Sequence, residues 1–359
     1  MPPNRRTDVG ASPGATYAAA GVDIDAAEGA VERLRSVTAT TDRPGVLGGI
    51  GGFGGLFALD TDRYRRPLLV SSTDGVGTKL AVARAVGRYD TVGIDLVAMC
   101  VDDVVCTGAE PLFLLDYLAV GKLDPERIEQ VVSGVAEGCR RAGCALLGGE
   151  TAEHPGVMDP DDLDVAGFAV GVVEEEERLG PHLVRPGDVL LGIASPGLRS
   201  NGYSLARHVL LERASLDLEG PAWPGAAHAL ADELLRPSEI YAPAVLAAVA
   251  AGAGSGGVHA CAHVTGGGIA GNVVRVLARD CDAVIERGSW EVPPIFGEIA
   301  RLGEVPAGEM ERVFNLGLGM VLVVAPEAVE AVTRALVDND RPPAVVGAVQ
   351  AGSGEVQLR

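Results

Sequence analysis

Two stretches in which short apolar, strand-like runs alternate with helix-like runs lie on either side of an acidic segment at 174–177 and a Gly180-Pro181 turn. Alternation of this kind, repeated in both halves of a chain, demands helices layered on sheets. It predicts an α/β fold with α+β character. At 359 residues the chain is long enough for two domains. The boundaries expected are a flexible tail at 1–16, an N-terminal domain at 17–175 and a C-terminal domain at 176–359. In the first half, 66–73, 111–120, 144–149 and 165–173 read as strands. One helix is expected over 89–108 and another over 125–142, where Asp124 is a natural N-cap, Pro125 suits the first turn and Gly143 suits the end. In the second half, strands are expected at 189–194, 258–264 and 316–324. Helices are expected at 203–212, 239–251, 266–277 and 326–337. The acidic run itself reads as a solvated linker or helix start.

Net charge is −20. With no basic stripe, nucleic-acid binding is excluded as a main function. An acidic protein can still hold an anionic ligand through a metal ion, backbone N–H groups or a few placed cations. Six cysteines occur without a CxxC pair, mostly in apolar runs. They read as reduced core residues of a cytoplasmic protein. No apolar run is long enough for a membrane span, and the first sixteen residues do not resemble a signal peptide.

Of the 29 basic residues only two, Lys79 and Lys122, are lysine. Lys79 closes the run SSTDGVGTK at 71–79. In a chain so biased to arginine, lysine is expected where a compact ammonium is needed. The run is not a Walker A motif, because GxxxxGK[ST] is absent. The functional reading puts Asp74 on Mg²⁺, the N–H groups of Gly75 and Gly77 with Thr78 on phosphate, and Lys79 on phosphate charge. The bland reading is a glycine turn with an exposed lysine.

The glycine-rich 48–55 (GGIGGFGG) contains a formal GxGxxG match, but no strand leads into it and no helix follows. A phosphate-contacting or lid loop, through Gly51, Gly52 and Gly54, is preferred over a dinucleotide site. Asp102 and Asp103 interrupt an apolar helical run that also carries Asp95. Buried acids need a partner, and a metal is a natural one. Glu150 follows a buried strand. Asp74, Asp103 and Glu150, from separate elements, make a candidate Mg²⁺ set. His259, Cys261 and His263 alternate onto one strand face, without a fourth ligand for zinc nearby. His263 adjoins the turn Thr265-Gly266-Gly267-Gly268, where it either faces an anion at the next helix start or is a satisfied strand histidine.

Taken together these runs resemble the phosphoribosylformylglycinamidine cyclo-ligases, the aminoimidazole ribonucleotide synthetases of purine biosynthesis. The resemblance spans 17–349. Besides the motifs above it rests on AGVDI at 20–24, GIDLVAMCV at 93–101, GAEP at 108–111, LDY at 115–117, GGETAE at 148–153, DVAGF at 164–168, SNGYS at 200–204, AHVTGGG at 262–268 and FNLGLGM at 314–320. It implies an ATP- and Mg²⁺-dependent ligase acting on a small molecule, with catalytic Asp74, Lys79 and Asp103. It adds Asp95, Thr151 and Asn201 to the nucleotide-binding candidates. It also implies a homodimer whose N-terminal sheets pair into a barrel.

Two departures stand out. Asp102 replaces a usual Asn, and Arg199 replaces a usual His. Arginine stays protonated, so position 199 is expected to contact phosphate or to be dispensable. The alternatives are another ATP-using relative, such as selenophosphate synthetase, a non-catalytic scaffold and an NAD-dependent oxidoreductase. The first lacks its early cysteine here, the second sits badly with four intact polar positions, and the third fails on the context of GxGxxG.

Overall fold

The computed structural model describes residues 24–254 and 256–359. The expected tail, and residues 20–23 of the AGVDI run, lie outside the described residues. The N-terminal half contains α1 (Ile24–Ala39), β1 (Val46–Leu47), β2 (Leu56–Phe57), β3 (Pro67–Gly75), α2 (Lys79–Val86), α3 (Val92–Val105), β4 (Glu110–Val120), α4 (Pro125–Ala142), β5 (Ala145–Glu153) and β6 (Leu163–Glu174). Four strands form a mixed sheet in the order β3-β6-β4-β5. Helix α3 lies on it, with α4 packed against α3. Their crossing is close because Gly93 and Gly134 have no side chain: a Cβ on Gly93 would sit 2.3 Å from the Val131 carbonyl oxygen. Every residue of α3 except Asp103 is buried.

Helix α4 starts and stops where its sequence signals it. Asp124 accepts from the Glu126 and Arg127 N–H groups, and Gly143 takes the left-handed conformation at φ 73°. The helix expected over 89–108 is α3, and a helix that was not anticipated, α2, precedes it. Gly87, at φ 67°, ends α2, and α3 follows after a short turn. The 48–55 loop joins β1 to β2 in an antiparallel hairpin, so it is not the strand-to-helix turn of a dinucleotide site. The acidic run is only partly solvated. Glu175–Glu177 form a surface turn. Glu174 is buried and accepts from the backbone N–H groups of Arg65 and Arg66 at 2.8 and 3.0 Å.

The C-terminal half comprises β7 (Val189–Ala194), α5 (Tyr203–Arg207), α6 (Leu230–Leu234), α7 (Ala242–Gly252), β8 (Val258–His263), α8 (Gly268–Val273), β9 (Cys281–Ile285), α9 (Pro294–Gly303), α10 (Ala307–Val313), β10 (Leu318–Val324), α11 (Val329–Asp338), β11 (Pro343–Ala351) and β12 (Val356–Leu358). Its sheet runs β12-β9-β11-β7-β10-β8. All its pairs are antiparallel except β12 with β9, which gives the fold its α+β character. Strands β1, β9, β11 and β12 and helices α1, α2, α6, α9 and α10 were not anticipated from pattern. The expected 203–212 helix is α5 followed by a π-helical turn at His208–Arg213.

One core group is out of place. Asp116 of β4 alternates onto the helix-covered face with Leu114 and Leu118. Its Oδ1 lies over Gly149, where a Cβ would be 1.6 Å away, and its Oδ2 has no hydrogen-bond partner. Burial pushes its pKa up to about 7. Between about pH 4 and pH 7 the folded chain therefore keeps a proton that the unfolded chain has released, and stability falls as pH rises through that window. Asp116→Asn is expected to flatten this dependence and to be more stable than the parent at pH 8, by a few kcal/mol at most. Denaturant unfolding at pH 5 and pH 8 checks this; an equal difference at both would sink it.

Candidate functional site

Asp74, near the end of β3, and Asp103, on α3, meet at the edge of the N-terminal sheet where β8 of the other domain approaches. Burial raises the pKa of Asp74. Repulsion from Asp103 adds to the rise, and its hydrogen bond from the Gly75 N–H opposes it. Burial alone would also raise Asp103. Hydrogen bonds from His263 Nδ1 (2.8 Å) and Ser72 Oγ (3.2 Å) outweigh that and hold it below the usual value. Two neighbouring carboxylates, one held ionised and one whose charge is disfavoured mainly by burial, suit a divalent cation that also binds phosphate oxygens.

His263 is tied at both ring nitrogens. Its Nε2 lies 2.9 Å from Arg199 Nη2, so it does not face an anion as the sequence had allowed. Arg199 is buried and pairs with Asp102 at 2.9 Å. The expected phosphate contact is corrected: its guanidinium is inside, bound to a countercharge. Asp102 also accepts from the Tyr241 and Ala242 N–H groups at the start of α7, at 2.8 and 3.1 Å. The buried acid does have a partner, but that partner is an arginine and a helix end rather than a metal.

Lys79 is likewise not where its motif suggested. The first residue of α2, it is fully buried, and its ammonium sits 2.6 Å from Asp95. It donates to the Arg236 and Arg199 carbonyls at 2.7 and 3.2 Å, and lies 5.6 Å from the Tyr203 ring centroid. Burial lowers its pKa, and Asp95 pulls it back up. Asp95 in turn accepts from the Ser238 N–H and hydroxyl at 2.8 and 2.6 Å. Both side chains are buried away from solvent. They clamp the N-terminal domain to the loop carrying Arg199.

The triple-glycine turn begins two residues after His263, on the C-terminal domain's side of this edge. Buried Asn272 donates to the carbonyls of Thr265, Gly266 and Gly268. The Gly268 N–H closes the turn on the Thr265 carbonyl at 3.1 Å, which leaves the N–H groups of Gly266 and Gly267 as the ones that could meet an anion. Gly268, at φ 69°, cannot carry a side chain: a Cβ would fall 1.8 Å from the Glu311 carbonyl oxygen. Asn201 bridges to this turn. Its Nδ2 reaches Met99 Sδ at 3.9 Å, and its Oδ1 would lie 3.5 Å from a Cβ on Gly266. Thr78 Oγ1 and Ser204 Oγ are 3.1 Å apart across the domains.

A domain model described as AIR synthase related protein, N-terminal domain, matches residues 61–173, and its C-terminal counterpart matches 185–359. A phosphoribosylformylglycinamidine cyclo-ligase from Anaeromyxobacter dehalogenans is 55% identical over 94% of this chain and 96% of the relative. The chain belongs to the phosphoribosylformylglycinamidine cyclo-ligase family. Cyclo-ligases of Myxococcus xanthus and Bacillus pumilus are 51% and 49% identical over similar lengths. Among solved structures, a thiamine-monophosphate kinase from Stenotrophomonas maltophilia aligns with a TM-score of 0.67 at 20% identity, covering 91% of this chain and 95% of that one. The hydrogenase maturation protein HypE in complex with ATP aligns at 0.63 and 19%, covering 91% and 90%. These likenesses show the fold.

In this cyclo-ligase family member the third expected metal acid stands apart. Glu150 is paired with Tyr117, which is paired with Ala166, which is paired with Gly75. Asp74 lies in the adjacent row, Asp74–Gly167–Asp116–Gly149. Neighbouring rows point to opposite faces, and three strand spacings separate β3 from β5, roughly 14 Å. Asp74 and Glu150 cannot share an ion within one chain. Accordingly, no cluster of three metal-ligating side chains forms among the described residues. Thr151 also lies on β5, and the 48–55 loop ends against it, with Gly55 packed on Leu147. Gly51 meets Arg35 of α1, whose Nη1 donates to the Ile50 carbonyl. The candidates thus gather at two sheet edges: Asp74, Gly75, Gly77, Thr78, Asp103, Asn201, His263, Thr265, Gly266, Gly267 and Gly268 by β3, and Gly51, Gly52, Gly54, Glu150 and Thr151 by β5. Sequence reasoning missed Ser72, Ser204, Ser238, Tyr241 and Asn272. Only Ser72 and Ser204 lay inside motifs that had been singled out.

Proposed function

We propose that this chain cyclises formylglycinamidine ribonucleotide to 5-aminoimidazole ribonucleotide with ATP, in the cleft between its two domains. The observation that carries the reading is the neighbouring pair Asp74 and Asp103, the latter held by His263 just ahead of the glycine turn, in a chain 55% identical to a named cyclo-ligase. An amide oxygen is a poor leaving group. The formyl oxygen attacks the γ-phosphorus of ATP, ADP departs, and an iminophosphate forms. The amidine nitrogen of the same substrate then attacks that carbon. The C–O bond breaks and phosphate leaves with the electron pair; the attacking nitrogen loses its proton, and a proton shift from the ring CH2 to the exocyclic imine nitrogen leaves the aromatic aminoimidazole.

The protein's work in such a transfer is positioning and charge neutralisation. Asp74 and Asp103 fit a Mg²⁺ ion, which when bound would neutralise phosphate charge. In this reading the N–H groups of Gly266, Gly267 and Gly77 receive phosphate oxygens, whereas the Gly75 N–H serves Asp74 and the Gly268 N–H serves the Thr265 carbonyl. Lys79 acts from behind, holding the Arg199 carbonyl and Asp95 rather than the nucleotide.

A homodimer accompanies this reading. One face of the N-terminal sheet carries α3, whereas the other exposes Leu69, Tyr117 and Phe168. A second copy laid on this face would cover them, and would have to bring its own β5 edge for Glu150 to join the acids of β3. Among the described residues no helix is long and apolar enough to cross a membrane, and a cytoplasmic setting suits the proposed substrate.

Mixing the purified protein with formylglycinamidine ribonucleotide, ATP and Mg²⁺ tests the proposal. A product lighter by one water, formed one-for-one with ADP, is expected. ATP turnover with other acceptors, but no ring closure, would redirect the assignment to another ATP-using relative.

A further inference from the structure

Arg199 presents no surface to a ligand, yet it is not an ordinary core residue. Its backbone is left-handed at φ 63°, a conformation non-glycine residues hold only when their surroundings enforce it. Its guanidinium lies over the Tyr241 ring, 4.8 Å from the centroid. Nη1 donates to the Glu239 carbonyl at 3.1 Å. Nη2 donates to Asp102 and also points at His263 Nε2.

A guanidinium has only donors, so His263 Nε2 must accept. The ring proton is then on Nδ1, and Nδ1–H donates to Asp103. We propose that Arg199 is a positioning residue: by occupying Nε2 it fixes the His263 tautomer and ring orientation, and His263 in turn aims the Asp103 carboxylate into the cleft. Without Arg199, the imidazole is free to carry its proton on Nε2. A lone pair would then confront Asp103 and push the carboxylate out of register with Asp74. Asp102 supplies the countercharge that lets an arginine do this inside the protein, and it is itself held by the start of α7. The inference rests on the proposed role of Asp103 at the metal–nucleotide site.

Two effects of removing Arg199 must be separated, an unpaired Asp102 and a released His263. Arg199→Met has both. Adding Asp102→Asn removes the stranded charge while its carbonyl still accepts from Tyr241 and Ala242. The double variant is therefore expected to regain most of the stability lost in Arg199→Met, measured by denaturant unfolding. Its KM for Mg-ATP is expected to remain raised roughly tenfold or more, the usual scale for a lost outer partner of a metal-binding group, with a smaller change in kcat. Nitrogen-15 NMR of the His263 ring is expected to show a protonated Nε2 in the double variant and an unprotonated Nε2 in the parent. A double variant with the parent's KM, or with Nε2 still unprotonated, overturns the proposal and leaves Arg199 a purely structural residue. If Arg199→Met alone does not fold, the double variant still decides. The NMR result does not depend on ring closure, so failure of the parent to cyclise its substrate is distinguishable from failure of this inference.

Discussion

Lys79→Met is expected to destabilise the fold by about 3–5 kcal/mol, the range for removing one partner of a buried ion pair. The lysine and Asp95 are both wholly inaccessible, 2.6 Å apart. With the ammonium gone, Asp95 keeps its two hydrogen bonds from Ser238 but loses its countercharge. The carbonyls of Arg199 and Arg236 lose their donor at the same time. Lys79→Met/Asp95→Asn should lose less than the lysine variant alone, because it leaves no unpaired charge. Denaturant unfolding of the three proteins measures this. A Lys79→Met variant within 1 kcal/mol of the parent would mean that the ammonium is not locked inside, and would return it to the ligand side of the cleft.

The second large effect is on turnover. Asp74→Asn is expected to lower kcat/KM about a hundredfold or more and to raise the Mg²⁺ concentration needed for half-maximal rate, since charge neutralisation by a metal is worth several kcal/mol. Its stability should be unchanged or higher. The pKa of Asp74 is raised by burial and by Asp103, so its charge is a burden in the empty fold, and such burdens are common where binding is at stake. Unchanged Mg²⁺ dependence and rate would remove Asp74 from the metal site. Glu150→Gln gives the contrast. A loss as large as that of Asp74→Asn would require another copy to bring its β5 edge to Asp74.

The sequence was most legible where its signals are local. The Asp124 cap, the Pro125 first turn and the Gly143 stop each act within a few residues, and α4 obeys all of them. Most core strands were readable because apolar runs bounded by turns have few other uses. The scarcity of lysine drew attention to Lys79, but scarcity marks only that a compact cation is needed. It does not say whether the cation faces phosphate or Asp95, because Asp95, Arg199 and Arg236 come from distant parts of the chain. Asp102 shows the same limit: its need for a partner was legible, whereas Arg199, 97 residues away, was not. Glu150 was grouped with Asp74 and Asp103 by residue type. Strand register put it on the other face, and register depends on pairing across the sheet rather than on local pattern. The strands β9, β11 and β12 went unseen because they are short or carry proline and glycine within an otherwise weak alternation.

The clamp formed by Lys79, Asp95 and Asp102 also bears on how this lineage can recombine. Each of these N-terminal side chains ends on C-terminal groups: carbonyls of Arg199 and Arg236, Ser238, and the first N–H groups of α7. A hybrid gene joining this N-terminal half to a relative's C-terminal half would inherit Asp102 without any guarantee of Arg199, and so an unmatched charge at the seam. The two halves match separate domain models, yet in this protein they are a fitted pair. Viable hybrids should arise only when positions 102 and 199 travel together.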